Sequence, residues 1–354
     1  MGTCNFELQI LVKMISSIQK RLLIGFCLGL VTFFTNAQET TYTSDFTIAF
    51  GSCNRVDLPN PFWNDIASKN ADVFIWGGDV IYADTEDMTV MEAMYKQQKA
   101  NPDYKAFAEK TEILGTWDDH DYGINDGGAE YSKKHTSQNL FLDFLNVPKD
   151  AKVRDQEGVY TSKNYYKDGK WIKIIILDTR YFRSDLTDSE IAGKRYEPNT
   201  TEAGTILGAE QWSWLEKQFE EKSDYCVVMS SIQFLSAEHG FETWGNFPSE
   251  IERFENLVKN ANAQRVVLLS GDRHISEFSR KNIEGIDYPL IDFTSSGLTH
   301  SYSSYSGEPN QYRVGDVISV RSYGLLNIDL DKHIINFKIM GVNDQILSEL
   351  SQHY

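Results

Sequence analysis

The sequence is short of everything that would staple it, carry it through a bilayer or hold it to a polyanion. Its 354 residues include only four cysteines, and 34 basic side chains stand against 51 acidic ones, a formal charge of −17. A disulfide framework is not needed at this length, because a chain of this size buries a sufficient core. No apolar run reaches the roughly 20 residues that span a bilayer, which excludes a multi-span membrane protein. The missing positive charge argues against a nucleic-acid duplex or an anionic lipid surface as partner. No Gly-x-Ser-x-Gly elbow follows any candidate strand, so a serine hydrolase has no nucleophile here. There is no internal repeat and no low-complexity linker. What is present, 41% apolar, 13% aromatic and 24% charged residues, is the make-up of a globular α/β chain rather than a disordered one.

The first 37 residues read as a leader. Lys20-Arg21 precedes an apolar stretch, Leu22–Phe34, and Thr35-Asn36-Ala37 supplies small residues at the cleavage positions of a signal peptide. Met14 is an alternative start, and an uncleaved anchor is the other reading of the same run. Cys27 lacks the small-residue box of a lipoprotein. The segment carries Lys13, Lys20 and Arg21 against Glu7, so without it 31 basic and 50 acidic residues remain, a net charge of −19. Only Cys53 and Cys226 are left, and the chain is expected to be exported, periplasmic or extracellular. Residues 38–354 are expected to form a single domain.

Hydrophobic patterning predicts strands over Phe46–Phe50, Val73–Trp76, Ile113–Thr116, Trp171–Leu177, Cys226–Ser230, Val266–Leu269, Leu290–Phe293, Gly324–Ile328 and Ile334–Met340. Helices are predicted over Phe62–Lys69, Val90–Lys110, Ser132–Leu145, Ala209–Glu221 and Pro248–Ala261. Early strand–helix alternation with late hairpins predicts an α/β fold with mixed sheets. Two polar stretches, Ser184–Thr205 and Ser301–Asp316, are long enough to be functional rims.

Reactive residues gather where strands end. Phe46–Phe50 runs into Gly51-Ser-Cys53-Asn54, and Val73–Trp76 into Gly78-Asp79-Val-Ile-Tyr82-Ala-Asp84. Ile113–Thr116 runs into Trp117-Asp118-Asp119-His120-Asp121, and Val266–Leu269 into Gly271-Asp272-Arg-His274. Ligands in open α/β sheets bind beyond the carboxyl ends of strands. Adjacent ionisable groups such as Asp118 to Asp121 repel one another unless a cation sits among them. Carboxylates with Asn suit hard cations, and a Cys–Asp–His mixture suits iron or zinc. Arg180 and Arg183 are candidates to bind phosphate, though surface pairing accounts for them equally well. His300 follows a strand and could line the pocket, and His239 could lie behind it or at the surface.

These motifs, with Leu177-Asp-Thr-Arg-Tyr-Phe-Arg183, Gly208-Ala-Glu-Gln-Trp-x-Trp-Leu215 and Trp244-Gly-Asn-Phe-Pro-x-Glu-x-Glu-Arg253, resemble the alkaline phosphatase D (PhoD-like) metallophosphatases over residues 46 to 300. The resemblance implies a four-layer α/β/β/α sandwich of two mixed sheets flanked by helices. It implies a site hydrolysing phosphate mono- or diesters by attack of a metal-bound hydroxide. Two metal ions are implied, Fe3+ with Ca2+, with Zn2+, Mn2+ or Mg2+ as other occupants. Carried over to this chain, Cys53, Asp79, Asp119, Asn125, Asp272 and His274 would be metal ligands, with Asp79 bridging. His120, with Arg180, would act in catalysis, while Arg183 and His300 would bind substrate. Asp118 and Asp178 would support the ligands from behind. The family's N-terminal immunoglobulin-like domain is missing, and its Asp-Tyr-Arg motif is not evident, Tyr82 and Tyr95 being weak substitutes for its tyrosine. A small phosphate ester is the expected substrate, acted on by a monomer. A phosphodiesterase on lipid head groups and a non-catalytic metal-stabilised binding protein are the alternatives.

Overall fold

The computed structural model describes residues 45–201 and 204–354, so the leader expected over residues 1–37 lies outside the described residues. Two sheets dominate. The first has six strands in the order Ile346–His353, Ile334–Met340, Tyr323–Asp329, Phe46–Gly51, Val73–Gly77, Glu112–Thr116. The second has seven, in the order Arg313–Ile318, Ser276–Lys281, Leu290–Ser295, Val266–Ser270, Tyr225–Met229, Lys170–Ile176, Thr161–Lys167. Each has a parallel core: Phe46–Gly51 with Val73–Gly77 and Glu112–Thr116 in one, and Lys170–Ile176, Tyr225–Met229, Val266–Ser270 and Leu290–Ser295 in the other. Antiparallel strands complete both, including the hairpin predicted around Asp329-Leu-Asp-Lys-His.

The period-2 alternation of strand side chains sorts the apolar residues into three cores. Ile48, Phe50, Val73 and Ile75 face Ile172, Ile174, Val227, Met229, Val267 and Leu269 between the sheets. Their neighbours Ala49, Phe74 and Trp76 pack with Trp63, Met91, Tyr104, Phe107 and Phe144 from helices over the first sheet. Ile175, Cys226, Val228 and Leu268 pack with Trp212, Leu215, Phe219 and Phe254 from helices Gly208–Glu220 and Pro248–Lys259 over the second. Helix, sheet, sheet and helix thus form the expected four layers. Cys226 is a free, buried thiol that packs as a small apolar side chain in the core between the second sheet and its helices.

The structure corrects several predicted elements. The single helix Val90–Lys110 is two, Met88–Ala100 and Pro102–Ala108. Pro102 cannot supply an interior N–H, and Asn101 turns extended before it while its side chain caps Asp103 and Tyr104, each at 3.1 Å. Strands Thr161–Lys167, Ser276–Lys281 and Ile346–His353 had no apolar run to announce them. The stretch Ser301–Asp316 ends inside strand Arg313–Ile318, and Ser184–Thr205 holds the small ladder Thr187–Asp188 with Tyr196–Glu197.

Candidate metal centre and active site

The parallel strands of both sheets deliver their carboxyl ends to one edge, where the sheets touch through a bridge between Ser52 and Ser296. Close backbone approaches at this edge require two glycines, one within the first sheet and one between the sheets. A Cβ on Gly78, whose φ is +95°, would lie 2.5 Å from the Asp118 Cβ. A Cβ on Gly271 would lie 2.6 Å from the Gly77 carbonyl oxygen, so this glycine serves close contact between the two sheets. Gly271→Ala is expected to cost about 1–3 kcal/mol of stability, checked by urea unfolding, because backbone must move to admit the methyl.

Four of the candidate residues sit in left-handed backbone: Cys53 (φ 60°), Asp79 (52°), Asp272 (65°) and His274 (54°). Such conformations are strained for side chains other than glycine and cluster at functional sites. Their side chains converge. Ligand atoms of Cys53, Asp79 and His274 lie within 4.8 Å of one another, as do those of Asp79, Asp119 and His120, and those of Asp118, Asp119 and Asp272. Asp79 and Asp119 are each shared by two groups, so the three sets form one continuous cluster.

Tyr82, discounted at the sequence level, belongs to it. Its hydroxyl donates to Asp79 Oδ2 at 2.9 Å and lies 3.3 Å from His274 Nε2. Its ring stacks on His120, with centroids 4.2 Å apart, and meets His300 edge-on at 5.1 Å. His300 also stands edge-on to His274 at 4.4 Å, which places it on the same wall. Asp84, the last residue of the Gly78–Asp84 motif, holds His120: both carboxylate oxygens lie 2.8 Å from Nδ1. Asp79-x-x-Tyr-x-Asp was therefore the signal for two further side chains.

The electrostatics of the metal-free cluster are unfavourable. Burial, with Cys53 and Asp119 nearby, pushes the Asp79 carboxyl well above its ordinary range. Burial also lifts the Cys53 thiol to about 11 and Asp272 to about 7. Burial draws His120 down, but Asp79, Asp84 and Asp119 outweigh it and raise the imidazole to about 10. Asp79 Oδ1 and Asp118 Oδ2 are buried without a hydrogen-bond partner among the described residues. Orphaned carboxylate oxygens beside a thiol, a phenol and imidazoles are what a metal ion would satisfy, so the donor set fits one.

Other predicted residues stand differently. Arg180 and Arg183 are buried, which removes both from the open side of the site. Arg180 Nε donates to Asp118 Oδ1 at 2.6 Å, and its far side pairs with Glu242. Arg183 pairs with the other oxygen of Glu242 at 2.9 Å. The catalytic role expected of Arg180 and the substrate contact expected of Arg183 give way to an internal ion network that fixes Asp118; Glu242, its centre, carried no sequence signal. Asp178 takes the N–H groups of Val159, Arg180 and Tyr181, each at 2.9 Å, and so shapes the turn that carries Arg180. Asn125 is exposed, next to Asp126, whose N–H donates to Asp119 Oδ2 at 2.7 Å. Asp121 accepts the N–H groups of Asp118 (2.6 Å), Val80 (2.9 Å) and Asp79 (3.3 Å), tying two strand-end loops together. Asp121→Ala orphans all three donors and is expected to lower unfolding free energy by about 3 kcal/mol, read from the denaturant midpoint of metal-stripped protein.

A cluster of metal donors at the meeting edge of two mixed sheets, in a four-layer sandwich, defines a metallophosphatase-like architecture. The chain belongs to the PhoD-like phosphatase family, which residues 48–304 match. It is 21% identical over 275 residues to alkaline phosphatase D of Bacillus subtilis (strain 168), covering 67% of this chain. The chain spans about half (47%) of that relative's length. The solved structure of PhoD superposes with a TM-score of 0.69 at 18% identity, over 87% of this chain and 68% of that one. A dimetal phosphatase from Danio rerio shares the fold with a TM-score of 0.55 at 10% identity, over 88% and 99% of the two chains.

Proposed function

We propose that this chain is an exported, metal-dependent phosphoesterase that hydrolyses small phosphate mono- or diesters. The observation that carries the reading is the continuous donor cluster joined through Asp79 and Asp119, with a carboxylate-held histidine beside it. Cys53, Asp79, Tyr82 and His274 would hold one metal, and their soft and phenolic donors suit iron. Asp79, Asp119 and Asp272, with Asn125 at the rim, would hold a second, harder ion such as Ca2+. A bound metal pair supplies a water acidic enough to react near neutral pH and offsets phosphoryl charge.

The chain's own side chains do the rest. Asp84 fixes the His120 ring through Nδ1, which leaves Nε2 to donate a proton to the departing alcohol. Tyr82 lies flat against that ring and restricts its rotation. His300, drawn down to about 4 mainly by burial, is neutral and can hydrogen-bond a phosphoryl oxygen without adding charge. Export rests on the leader reading of residues 20–37, and no helix among the described residues is long and apolar enough to cross a membrane. Assay of purified protein on p-nitrophenyl phosphate and bis-p-nitrophenyl phosphate tests the reading: turnover of at least one is expected, and turnover of neither by metal-replete protein overturns it.

A further inference from the structure

Cys53, Asp79 and Asp119 are buried, whereas Tyr82, His120, His274 and His300 are part exposed and gather around the Tyr82 ring. These four rings therefore mark the open side of the metal-donor cluster. Four arginines of the region are committed elsewhere. Arg180 and Arg183 are buried against Glu242, Arg273 is turned to Glu308 and the Phe241 ring, and Arg195 sits on Asp126.

Arg55 is placed differently. Its N–H donates to Thr299 Oγ1 at 2.8 Å, and the same hydroxyl lies 3.1 Å from His300 Nδ1. One side chain thus anchors both the loop after Cys53 and the His300 ring. The Thr299 N–H in turn donates to the Cys53 carbonyl at 3.3 Å. From this anchored backbone the Arg55 side chain reaches solvent, 46% exposed. The His300 imidazole, held neutral first by burial and then by His274, also feels Arg55, and the Tyr82 hydroxyl acts on Arg55 in turn. The guanidinium therefore stands beside the wall that these rings form. Asp57 accepts Nε at 3.1 Å and Nη2 at 2.8 Å, which leaves Nη1 without a hydrogen-bond partner among the described residues. A fork between residues two apart joins no separate elements, and exposed pairs of this kind add little stability. What it fixes is the direction of the guanidinium, one edge held and Nη1 free to take an anion.

We propose that the Arg55 guanidinium binds an unesterified oxygen of the phosphoryl group held at the metal-donor cluster, and so selects phosphate monoesters over diesters. The proposal rests on the phosphoesterase reading and narrows its substrate class. A monoester carries close to two charges at pH 7, and each of its three terminal oxygens can accept from the guanidinium. A diester carries a single charge and gives up one terminal oxygen to a second substituent, which here would face the Arg55–Asp57 pair in place of an anion. With enzyme at equal metal loading, Arg55→Gln is expected to lower kcat/KM for p-nitrophenyl phosphate about 10- to 100-fold, chiefly through KM, and that for bis-p-nitrophenyl phosphate less than about threefold. Arg55→Lys, which keeps the charge but not the fork, is expected to recover part of the loss. An equal loss on both esters, or none on the monoester, overturns the selection. Calorimetric titration of the metal-loaded protein with inorganic phosphate reads the contact without turnover. Affinity about tenfold weaker in Arg55→Gln is expected, and unchanged affinity overturns the contact. Absence of any hydrolysis by wild type defeats the phosphoesterase reading instead, and the phosphate titration still decides whether Arg55 binds the anion.

Discussion

Asp79→Ala is expected to abolish metal binding and to lower phosphoester turnover by about ten-thousandfold or more, a loss of at least about 5 kcal/mol in transition-state stabilisation. Asp79 is common to two of the donor groups, and its Oδ1 is a buried oxygen without a hydrogen-bond partner among the described residues. The same substitution has a second, less intuitive consequence. Without metal, the Asp79 carboxyl is buried among Cys53, Asp118 and Asp119, which is why its pKa is raised. Removing it relieves that repulsion, so chelator-stripped Asp79→Ala should unfold at the same temperature as stripped wild type or higher. Metal should then stabilise wild type, by about 4 kcal/mol at a thousandfold excess over Kd, and leave the variant unmoved. Elemental analysis with paired thermal scans reads both effects. A variant that keeps its metal content and rate removes Asp79 from the centre.

His120→Ala is expected to separate chemistry from metal binding, with kcat falling by about 100- to 10,000-fold while metal content holds. The separation follows from position. His120 belongs to one donor group only, and its Nδ1 is already held by Asp84. Asp84→Asn should lower kcat by a smaller factor, because an amide still orients the ring but no longer favours its proton. For a leaving group that needs no proton, such as p-nitrophenolate, the His120→Ala defect should shrink relative to an alkyl ester. An equal defect on both esters assigns His120 to binding rather than proton donation.

The strand-end motifs were legible because each combines an apolar run with glycine and reactive residues within a few positions, as in Gly78-Asp79 and Gly271-Asp272. Edge strands were not: Thr161–Lys167 reads Thr-Ser-Lys-Asn-Tyr-Tyr-Lys and is half exposed, so pairing with Lys170–Ile176 makes it a strand rather than its own hydrophobicity. Tyr82 and Asp84 lay inside a quoted motif, but only the turn after Asp79 brings the phenol back to that carboxylate and to His274, 192 residues away. Arg180 shows the opposite case. Its sequence neighbourhood suits phosphate binding, yet Asp118, 62 positions earlier, and Glu242, 62 later, claim both ends of the guanidinium. Contacts of that kind are properties of the packed chain, and no local spacing announces them.

The central claim is that the strand-end cluster works as a metal-dependent phosphoesterase. Its most direct measurement is p-nitrophenyl phosphate hydrolysis by purified protein before chelation, after it, and after stepwise reloading with a defined metal. Activity should vanish on stripping and return in full as two equivalents are taken up. Hydrolysis that survives complete removal of metal would contradict the account.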